Sequence, residues 1–519
     1  MGAEGARLRP NLSGKRTEGM LSYANVDLFP ELLECNSFLF GGKSIMTVSS
    51  FISWLDDVAW GPVMLILLVG TGFYLSCRLG FIQFSKLGYW MKNTFGKMFN
   101  KQKAGKGEVT PFQALTTALA GTVGTGNIAG VTGAIFIGGP GAVFWMWIAA
   151  LVGMVTKYSE VVLAVNFRER NSDGDWVGGP MYYIKNGLGK NWKWLGGIFC
   201  VLGCLAAFGI GNATQVQSIA SAINNAIDAF GGNTAAHMLS IGASQFKLST
   251  LIIGIIVAVI VGLVMIGGIK RIGQVTEKLV PFMAAVYIIA TLVVIIVNAN
   301  EVGRAFGLIF KGAFSPDAAL GGAFGLTVLT AMKKGVGRGC FSNEAGLGSA
   351  PIAHAATSEK NPVKQGIYGI FEVFMDTIVI CTLTALTIIT SFCKGNLDIS
   401  WGSGGGAGDI STALGSVFGS KLGALLVAVC LSLFALSTIL SWSLYSTRCS
   451  EYLFGSKGTK IYKVLFVIFV IIGATMTLDD AWNLADALNG LMAIPNLIAL
   501  LLLSGTVVKL TKEFFEKEK

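Results

Sequence analysis

Charge is what this sequence has least of. Asp, Glu, Lys and Arg make up 13% of its 519 residues, about half the roughly 25% of an ordinary soluble protein. So few charges would cover a soluble surface of this size poorly. Histidine is nearly missing as well. Only His237 and His354 occur, which leaves a His/Cys metal centre almost no ligands. The nine cysteines include no Cys-x-x-Cys pair, and Cys200, Cys204, Cys340, Cys381 and Cys430 read as small buried fillers of apolar or glycine-rich runs. Proline is scarce at 11 against 68 glycines, and the glycines follow no three-residue period, so collagen is excluded. At 53% hydrophobic content the chain is too apolar for disorder. What survives is a polytopic membrane protein. Its net charge of +10 would suggest a nucleic-acid partner in a soluble protein. Basic membrane loops explain it more simply, and no nucleic acid is expected.

Spanning helices need about 20 mostly apolar residues. Eleven stretches qualify: 58–77, 110–137, 139–165, 194–223, 249–268, 277–298, 319–337, 366–392, 421–447, 461–478 and 485–508. Runs such as LIIGIIVAVIVGLVMIGG (251–268) do not alternate as barrel strands would, so the expected fold is an all-α membrane protein with eleven transmembrane helices. Lys and Arg in the regions 78–109, 168–193, 269–278, 448–463 and the tail outnumber those of the opposite loops by 23 to 5. That places the N-terminus outside and the C-terminus in the cytoplasm of a cell-membrane protein. The polar stretch MGAEGARLRPNLSGKRTEG has no apolar core and is not a signal peptide. Residues 1–50 read as an N-terminal extension, and Met46 offers an alternative start that would remove residues 1–45.

Two segments are too polar and glycine-rich for plain spans: AGTVGTGNIAG (120–130) and KKGVGRGCFSNEAGLGSAP (333–351). Glycine weakens a helix by about 1 kcal/mol per residue. Bare backbone at membrane depth is tolerated only where it lines a cavity or is buried in protein. VGTGN (123–127) resembles VGRGC (336–340), and each opens a block of five spans. Because five is odd, the second block enters from the opposite side. That is a 5+5 inverted repeat with broken first helices, the arrangement that points to a transport site. The alternative is that these glycines serve close helix packing. Gly124-Thr125-Gly126-Asn127-Ile128-Ala129 also fits a dinucleotide-binding pattern, but that motif needs a preceding strand.

At these residues the sequence is similar to the bacterial and archaeal alanine/glycine:cation symporters. GTVGTGNIAGV, GGPGAVFWMWI, GGPMYYIKNGLG, FGIGNATQ, FSNEAGLGSAPIAHAA, DTIVICTLTAL and MAIPNLIALLLLSG carry the resemblance, over about residues 51–510. It implies a sodium-coupled carrier of small neutral amino acids with the five-plus-five fold of the bacterial leucine transporter, preceded by one extra helix. On this reading 51–109 holds the extra helix and a basic cytoplasmic loop, 110–298 and 319–508 are the repeats, and 509–519 is a cytoplasmic tail. Ala213-Thr214, Cys340, Ser441 and Leu444-Tyr445 depart from the usual pattern beside the expected pocket.

The resemblance implies Thr125, Gly126, Gln215, Phe341, Ser342 and Trp442 as substrate-binding residues, and Asn127 joins them as an exposed amide after the first break. An amino-acid carboxylate suits the exposed N–H groups of a half-helix start, and Gln215 is a candidate partner for the ammonium. Phe341 and Trp442 would leave room for a methyl group; their plain alternative is helix packing. Sodium needs several oxygens. Ser437 and Thr438 would supply hydroxyls, and Ala120, Val123 and Phe434 carbonyls. The plain alternative here is back-bonding of the two hydroxyls one turn earlier. Lys157 and Glu160, three residues apart, are expected to pair as a structural lock. Glu344 could cap or gate the inner pathway, and Asp376 could hold a second cation or a proton, or anchor a neighbouring helix. No catalytic residue and no cofactor is expected, sodium being cargo. The rival readings are the same carrier driven by protons, a channel, or an intramembrane enzyme, for which the chain offers little.

Overall fold

Local rules place the helix ends. Pro62, Pro111, Pro180, Pro351 and Pro362 each stand in a first helical turn, where their missing N–H goes unused. Thr110 and Asn361 cap the helices that follow them with side-chain oxygens. The computed structural model describes residues 54–55, 58–97, 104–105, 107–241, 244–315, 327–476 and 478–518. The expected extension over 1–50 and the first part of the expected span 319–337 lie outside them. The described residues are mostly helical; their strands form two short antiparallel hairpins, beside one isolated bridge between Val109 and Thr357. In the hairpins, β1 (Glu169–Arg170) pairs with β2 (Trp176–Val177), and β3 (Met238–Ile241) with β4 (Ser244–Lys247).

The helices relevant to the site are α1 (Pro62–Arg78), α2 (Leu87–Thr94), α3 (Pro111–Thr122), α4 (Val131–Gly138), α5 (Ala142–Asn166), α6 (Lys193–Phe208), α7 (Thr214–Ala229), α8 (Leu248–Ile266), α9 (Gly268–Val297) and α10 (Ala299–Phe314). After them come α11 (Val328–Asn343), α12 (Ala350–His354), α13 (Pro362–Val373), α14 (Thr382–Cys393), α15 (Ala407–Phe418), α16 (Ser420–Thr475) and α17 (Leu478–Lys517). Among the described residues seven helical stretches are long and apolar enough to cross a bilayer, and eight if the bent pair α3–α4 counts as one span. The expected spans 58–77 and 319–337 fall short of that length among the described residues: α1 has 17 residues and α11 has 16, with Lys333, Lys334 and Arg338 among them. The expected spans 421–447 and 461–478 fall in the single element α16, where only Gly455 (φ 67°) departs from helical geometry.

α5 and α16 run through the middle. α5 packs on α1, α11 and α13, and α16 on α6, α7, α8 and α15. Outward faces are apolar: Ile255, Ile256, Val259, Leu263 and Ile266 of α8, with Phe282, Ile289 and Ile296 of α9, are exposed. Such a continuous face suits lipid and not water. At one end Arg168 and Arg170 stack on Trp176, at 4.3 and 4.1 Å from its ring centre. Glu108 accepts from Trp176 Nε1 and Arg170. Burial alone would raise the carboxyl of Glu108, but bonds from Trp176 and the Gly105 amide, with the charge of Arg170, hold it below the usual carboxylate range.

One expectation about the second break is corrected. The chain does not open at 336–340; α11 runs on to Asn343, and the turn falls at 344–349. The glycines before it serve packing. A Cβ on Gly335 would strike the Ala142 carbonyl, and one on Gly339 would sit 3.4 Å from Met146 Cα. Gly335 and Gly339 thus seat α11 on the main chain of α5, as small residues do in membrane helix pairs. Gly337 faces elsewhere, its nearest neighbour being Trp60 at 3.8 Å. We expect Gly335→Ala to destabilise the protein by about 1–3 kcal/mol and Gly337→Ala to be neutral or mildly stabilising, read as thermal unfolding in detergent. Equal effects would show that α11 and α5 are not in this register.

Candidate functional site

The first break is built from side chains that replace lost helix bonds. α3 opens with a reciprocal cap, Thr110 Oγ1 accepting from the Gln113 amide and Gln113 Oε1 from the Thr110 amide, both at 3.1 Å. It ends at Thr122 because Val123 turns extended (φ −78°, ψ 91°). A π-helical turn, Gly126–Gly130, follows, and the axis of α4 is bent 49° from that of α3. The Gly124 amide donates to Asn127 Oδ1 at 2.8 Å. The Thr125 amide donates to Gln215 Oε1 at 3.4 Å, the long end of hydrogen-bond range. Thr384 Oγ1 donates to the Asn127 carbonyl at 2.7 Å. Thr125 Oγ1 is buried with no hydrogen-bond partner among the described residues.

The second break turns on Glu344, which sits in the left-handed region (φ 54°) uncommon for a residue with a side chain. Gly346 and Gly348 complete the turn at φ 92° and 80°. The carboxyl of Glu344 accepts from Trp442 Nε1 at 2.7 Å and from Ser349 Oγ at 2.6 Å. Glu160 accepts from the Gly346 amide at 3.0 Å and from Asn496 Nδ2 at 2.6 Å. Lys157 does not pair with Glu160, contrary to their spacing. Its ammonium lies 3.3 Å from Glu372 of α13, whose other oxygen is 3.1 Å from His354 Nε2. A carboxyl across the helix interface offers Lys157 a partner, while Glu160 is taken by the turn.

The expected substrate residues gather around these breaks. A Cβ on Gly126 would stand 3.3 Å from Phe341 and 3.4 Å from Ser342 Cα, and one on Gly124 would meet Thr438 Oγ1 and Gln215 Oε1. Gln215 also donates to the Ile210 carbonyl at 2.9 Å. Trp442 packs edge-on against Tyr445 and is approached so closely by Gly211 that a Cβ there would collide with it. Asn127 has both ends of its amide engaged, its Nδ2 donating to Asp376 Oδ1 at 2.6 Å, so it acts as a strut. Among the expected sodium ligands, Ser437 Oγ lies 2.8 Å from the Phe434 carbonyl and 3.4 Å from that of Ala120, and Thr438 Oγ1 lies 3.1 Å from Phe434. The hydroxyls back-bond and also face the first broken helix. Val123 marks the point where helical geometry is lost.

Periodicity gave no hint of π-helical turns at Gly209–Ala213 and Phe374–Cys381, which aim Gln215 and Asp376 at the break. Such turns are frequent at functional sites. A cavity of about 560 Å³, lined by Ala129, Gly130, Gly133, Ser218, Arg338 and Asp486 among others, lies one turn beyond Gly126. Arg338 reaches from it to Asp486 at 2.8 Å and stands 5.4 Å over the Phe341 ring. The site thus brings together an amide and a buried hydroxyl at one broken helix, an aromatic wall from a second, and oxygens between them.

Broken helices with such a lining suit a carrier, and the comparisons with known proteins give that class. Residues 45–519 match the sodium:alanine symporter family. The chain is 44% identical over 479 residues to the sodium/alanine symporter AgcS of Methanococcus maripaludis, covering 91% of this chain and 99% of that protein. It is 44% identical over 475 residues to an uncharacterized transporter of Haemophilus influenzae (91% and 98%). It is 35% identical over 485 residues to the putative sodium/proton-dependent alanine carrier YrbD of Bacillus subtilis (91% and 93%). The chain belongs to the sodium:alanine symporter family. It is a multi-pass membrane transporter, not an enzyme.

The Trp442–Glu344 contact yields a test. Trp442→Phe and Glu344→Gln, measured singly and together by thermal unfolding, are expected to show a coupling of about 1 kcal/mol or more. Strict additivity would mean the indole N–H contributes nothing to holding the turn at Glu344.

Proposed function

We propose that the protein carries alanine, and other small neutral amino acids such as glycine, into the cell together with sodium by alternating access. The observation that carries this reading is the Thr125 main-chain N–H, weakly held by Gln215 beside an unpartnered buried hydroxyl. A substrate carboxylate displacing Gln215 Oε1 gains a helix-terminal amide and Thr125 Oγ1 together. Gly126 leaves room for the α-carbon, with Phe341 and Trp442 limiting the side chain. Sodium takes the oxygens of Ala120, Phe434, Ser437 and Thr438 and so holds the α3 break in its binding shape. Each sodium moving down 100 mV releases about 2.3 kcal/mol to drive the amino acid. The name of the Methanococcus relative supports alanine and sodium.

The eleven-span arrangement goes with this reading. Counting α3–α4, α6–α7, α11–α12 and α13–α14 as single spans and α16 as two about Gly455 gives eleven. α1 is the extra helix, and the repeats begin at the broken pairs α3–α4 and α11–α12. With basic loops inside, the N-terminus is outside. The 560 Å³ cavity then faces outward and the Glu344–Trp442 contact closes the inner side. Proton coupling is the second reading, favoured by the buried Asp376 and by the name of the Bacillus relative.

Radiolabelled alanine uptake into proteoliposomes decides between them. We expect uptake driven by an inward sodium gradient; uptake that ignores sodium and collapses with an uncoupler would sink sodium coupling. Ser437→Ala with Thr438→Ala is expected to raise the sodium concentration for half-maximal uptake by at least about tenfold, corresponding to lost hydroxyl contacts worth about 1.4 kcal/mol or more. Gly126→Val should abolish alanine binding in a folded protein, checked by size-exclusion profile and binding calorimetry.

A further inference from the structure

We propose that the protein binds a phospholipid with a phosphoethanolamine headgroup in a cavity at the bend of α16, its phosphate held by Lys460 and Lys463 and its ammonium by the acidic tip of the β1–β2 hairpin. No residue of either broken helix lines this cavity, and its occupancy is read as binding, whatever solute the protein carries.

The cavity measures about 210 Å³. Three pieces of the chain wall it. α16 supplies Arg448 and Glu451 before Gly455, and Lys460 and Lys463 after it. The β1–β2 hairpin supplies Asp173 and Asp175, and the corner between α8 and α9 supplies Met265 and Gly268. Gly455 and Gly268 stand at φ 67° and 61°, so both corners turn on residues without a side chain. Part of the lining charge is already paired inside the protein. Arg448 is buried, with Asp175 Oδ2 at 2.9 Å and Glu451 Oε2 at 2.6 Å. Glu451 Oε1 accepts from Asn171 at 2.7 Å. Two cations and one anion remain. Lys460, Lys463 and the Asp173 carboxylate have no ion pair or side-chain hydrogen bond among the described residues. The charges of Arg448, Glu451 and Asp173 all act on Lys463, so the uncommitted groups face one space.

Two cations beside one anion suit a ligand that carries a negative group and a positive one. The cavity is smaller than the roughly 300–1,000 Å³ that encloses a drug-sized ligand, so it takes a headgroup and leaves the rest outside. Next to it the chain is apolar on its outward face. Ile266 follows Met265, and Ile461, Val464, Leu465 and Ile468 adjoin the two lysines on α16; all five are exposed. Gly254 and Gly262 seat α8 on Ala474 and Val467 of α16, which makes the two apolar stripes neighbours. Acyl chains lie along that seam, and the headgroup at its end meets the cavity. Interfacial lysines attract lipid phosphate. A primary ammonium donates to Asp173 and to the second oxygen of Asp175. A trimethylated ammonium has no N–H to donate, and a glycerol headgroup has no positive charge. Ethanolamine is thus preferred over choline and glycerol, and a bound headgroup braces the two halves of α16 against the hairpin.

The test titrates the delipidated full chain in detergent with dioleoyl phosphatidylethanolamine, phosphatidylcholine and phosphatidylglycerol. Bound lipid is read by native mass spectrometry and unfolding temperature is followed in parallel. We expect phosphatidylethanolamine to bind at least about tenfold more tightly than the other two and to raise the unfolding temperature. Lys460→Gln with Lys463→Gln should weaken it by about 30-fold, the loss of two interfacial lysines. Asp173→Asn should narrow its lead over phosphatidylcholine. Lys270→Gln with Lys457→Gln removes two lysines outside the cavity and should leave binding unchanged. Equal binding of phosphatidylcholine, or tighter binding of phosphatidylglycerol, overturns the proposal, as does a loss in the outside pair equal to that in the cavity pair. Free phosphoethanolamine separates a lipid from a soluble source. Lacking acyl contacts, it should compete only at about a hundredfold higher concentration or more; competition at equal concentration overturns the lipid. Should the double variant fail to fold, Lys460→Gln alone replaces it, with about fivefold weaker binding expected and unchanged binding overturning the site.

Discussion

A main chain that leaves its helix inside a bilayer must find new partners for every N–H and C=O it exposes, since each unsatisfied group costs several kcal/mol in hydrocarbon. The rest of this structure depends on that constraint. At the first break the replacements are amides and hydroxyls: Asn127 for Gly124, Gln215 for Thr125, Thr384 for the Asn127 carbonyl. At the second, carboxyls join the amides: Glu160 serves the Gly346 N–H, Asn343 the Ala345 N–H and Asn496 the Gly346 carbonyl, while Glu344 turns its carboxyl toward Trp442 and Ser349. The neutral replacements are easily exchanged for a ligand. The carboxyl ones carry stronger hydrogen bonds and hold the turn shut. The two breaks therefore differ in stiffness although both are glycine-rich.

This difference is continued outward from each break. Beyond Gly126 the protein holds an open cavity, and the Arg338–Asp486 pair at its edge is partly exposed. Around Glu344 the interior holds a polar network. Lys157, Glu372, His354, Gln365 and Thr357 form a chain of buried partners linking α5, α12 and α13. Asn496 ties α17 to the same turn through Glu160 and the Gly346 carbonyl. Rearranging that side requires several buried polar bonds to be exchanged together, which favours two discrete arrangements over a graded one.

Much of this was legible in the sequence, and the failures have causes. Low charge and long apolar runs announce a helical membrane protein, because bilayers accept little else. The first break was legible because glycine, threonine and asparagine interrupt an apolar span. The second was misplaced by several residues because VGRGC resembles VGTGN while its glycines answer to Ala142 and Met146 of another helix. Residue spacing could not reveal that partner. Lys157 and Glu160 failed for the same reason: a one-turn spacing permits pairing, but Glu372 on α13 competes. The π-helical turns carry no periodic signature, since one extra residue shifts the pattern without erasing it. Asp376 could be picked out as a buried acid, but not as the strut between Asn127 and Ser342.

The contact of α11 with α5 has a mechanical corollary. Glycines at 335 and 339 let backbone rest on backbone, with no long side chains between to slide over one another. Two rods in such contact resist shear and travel as one. That contact ends at Gly339, and the left-handed run of Glu344, Gly346 and Gly348 that follows is fastened instead by side chains, Trp442, Ser349, Glu160 and Asn496.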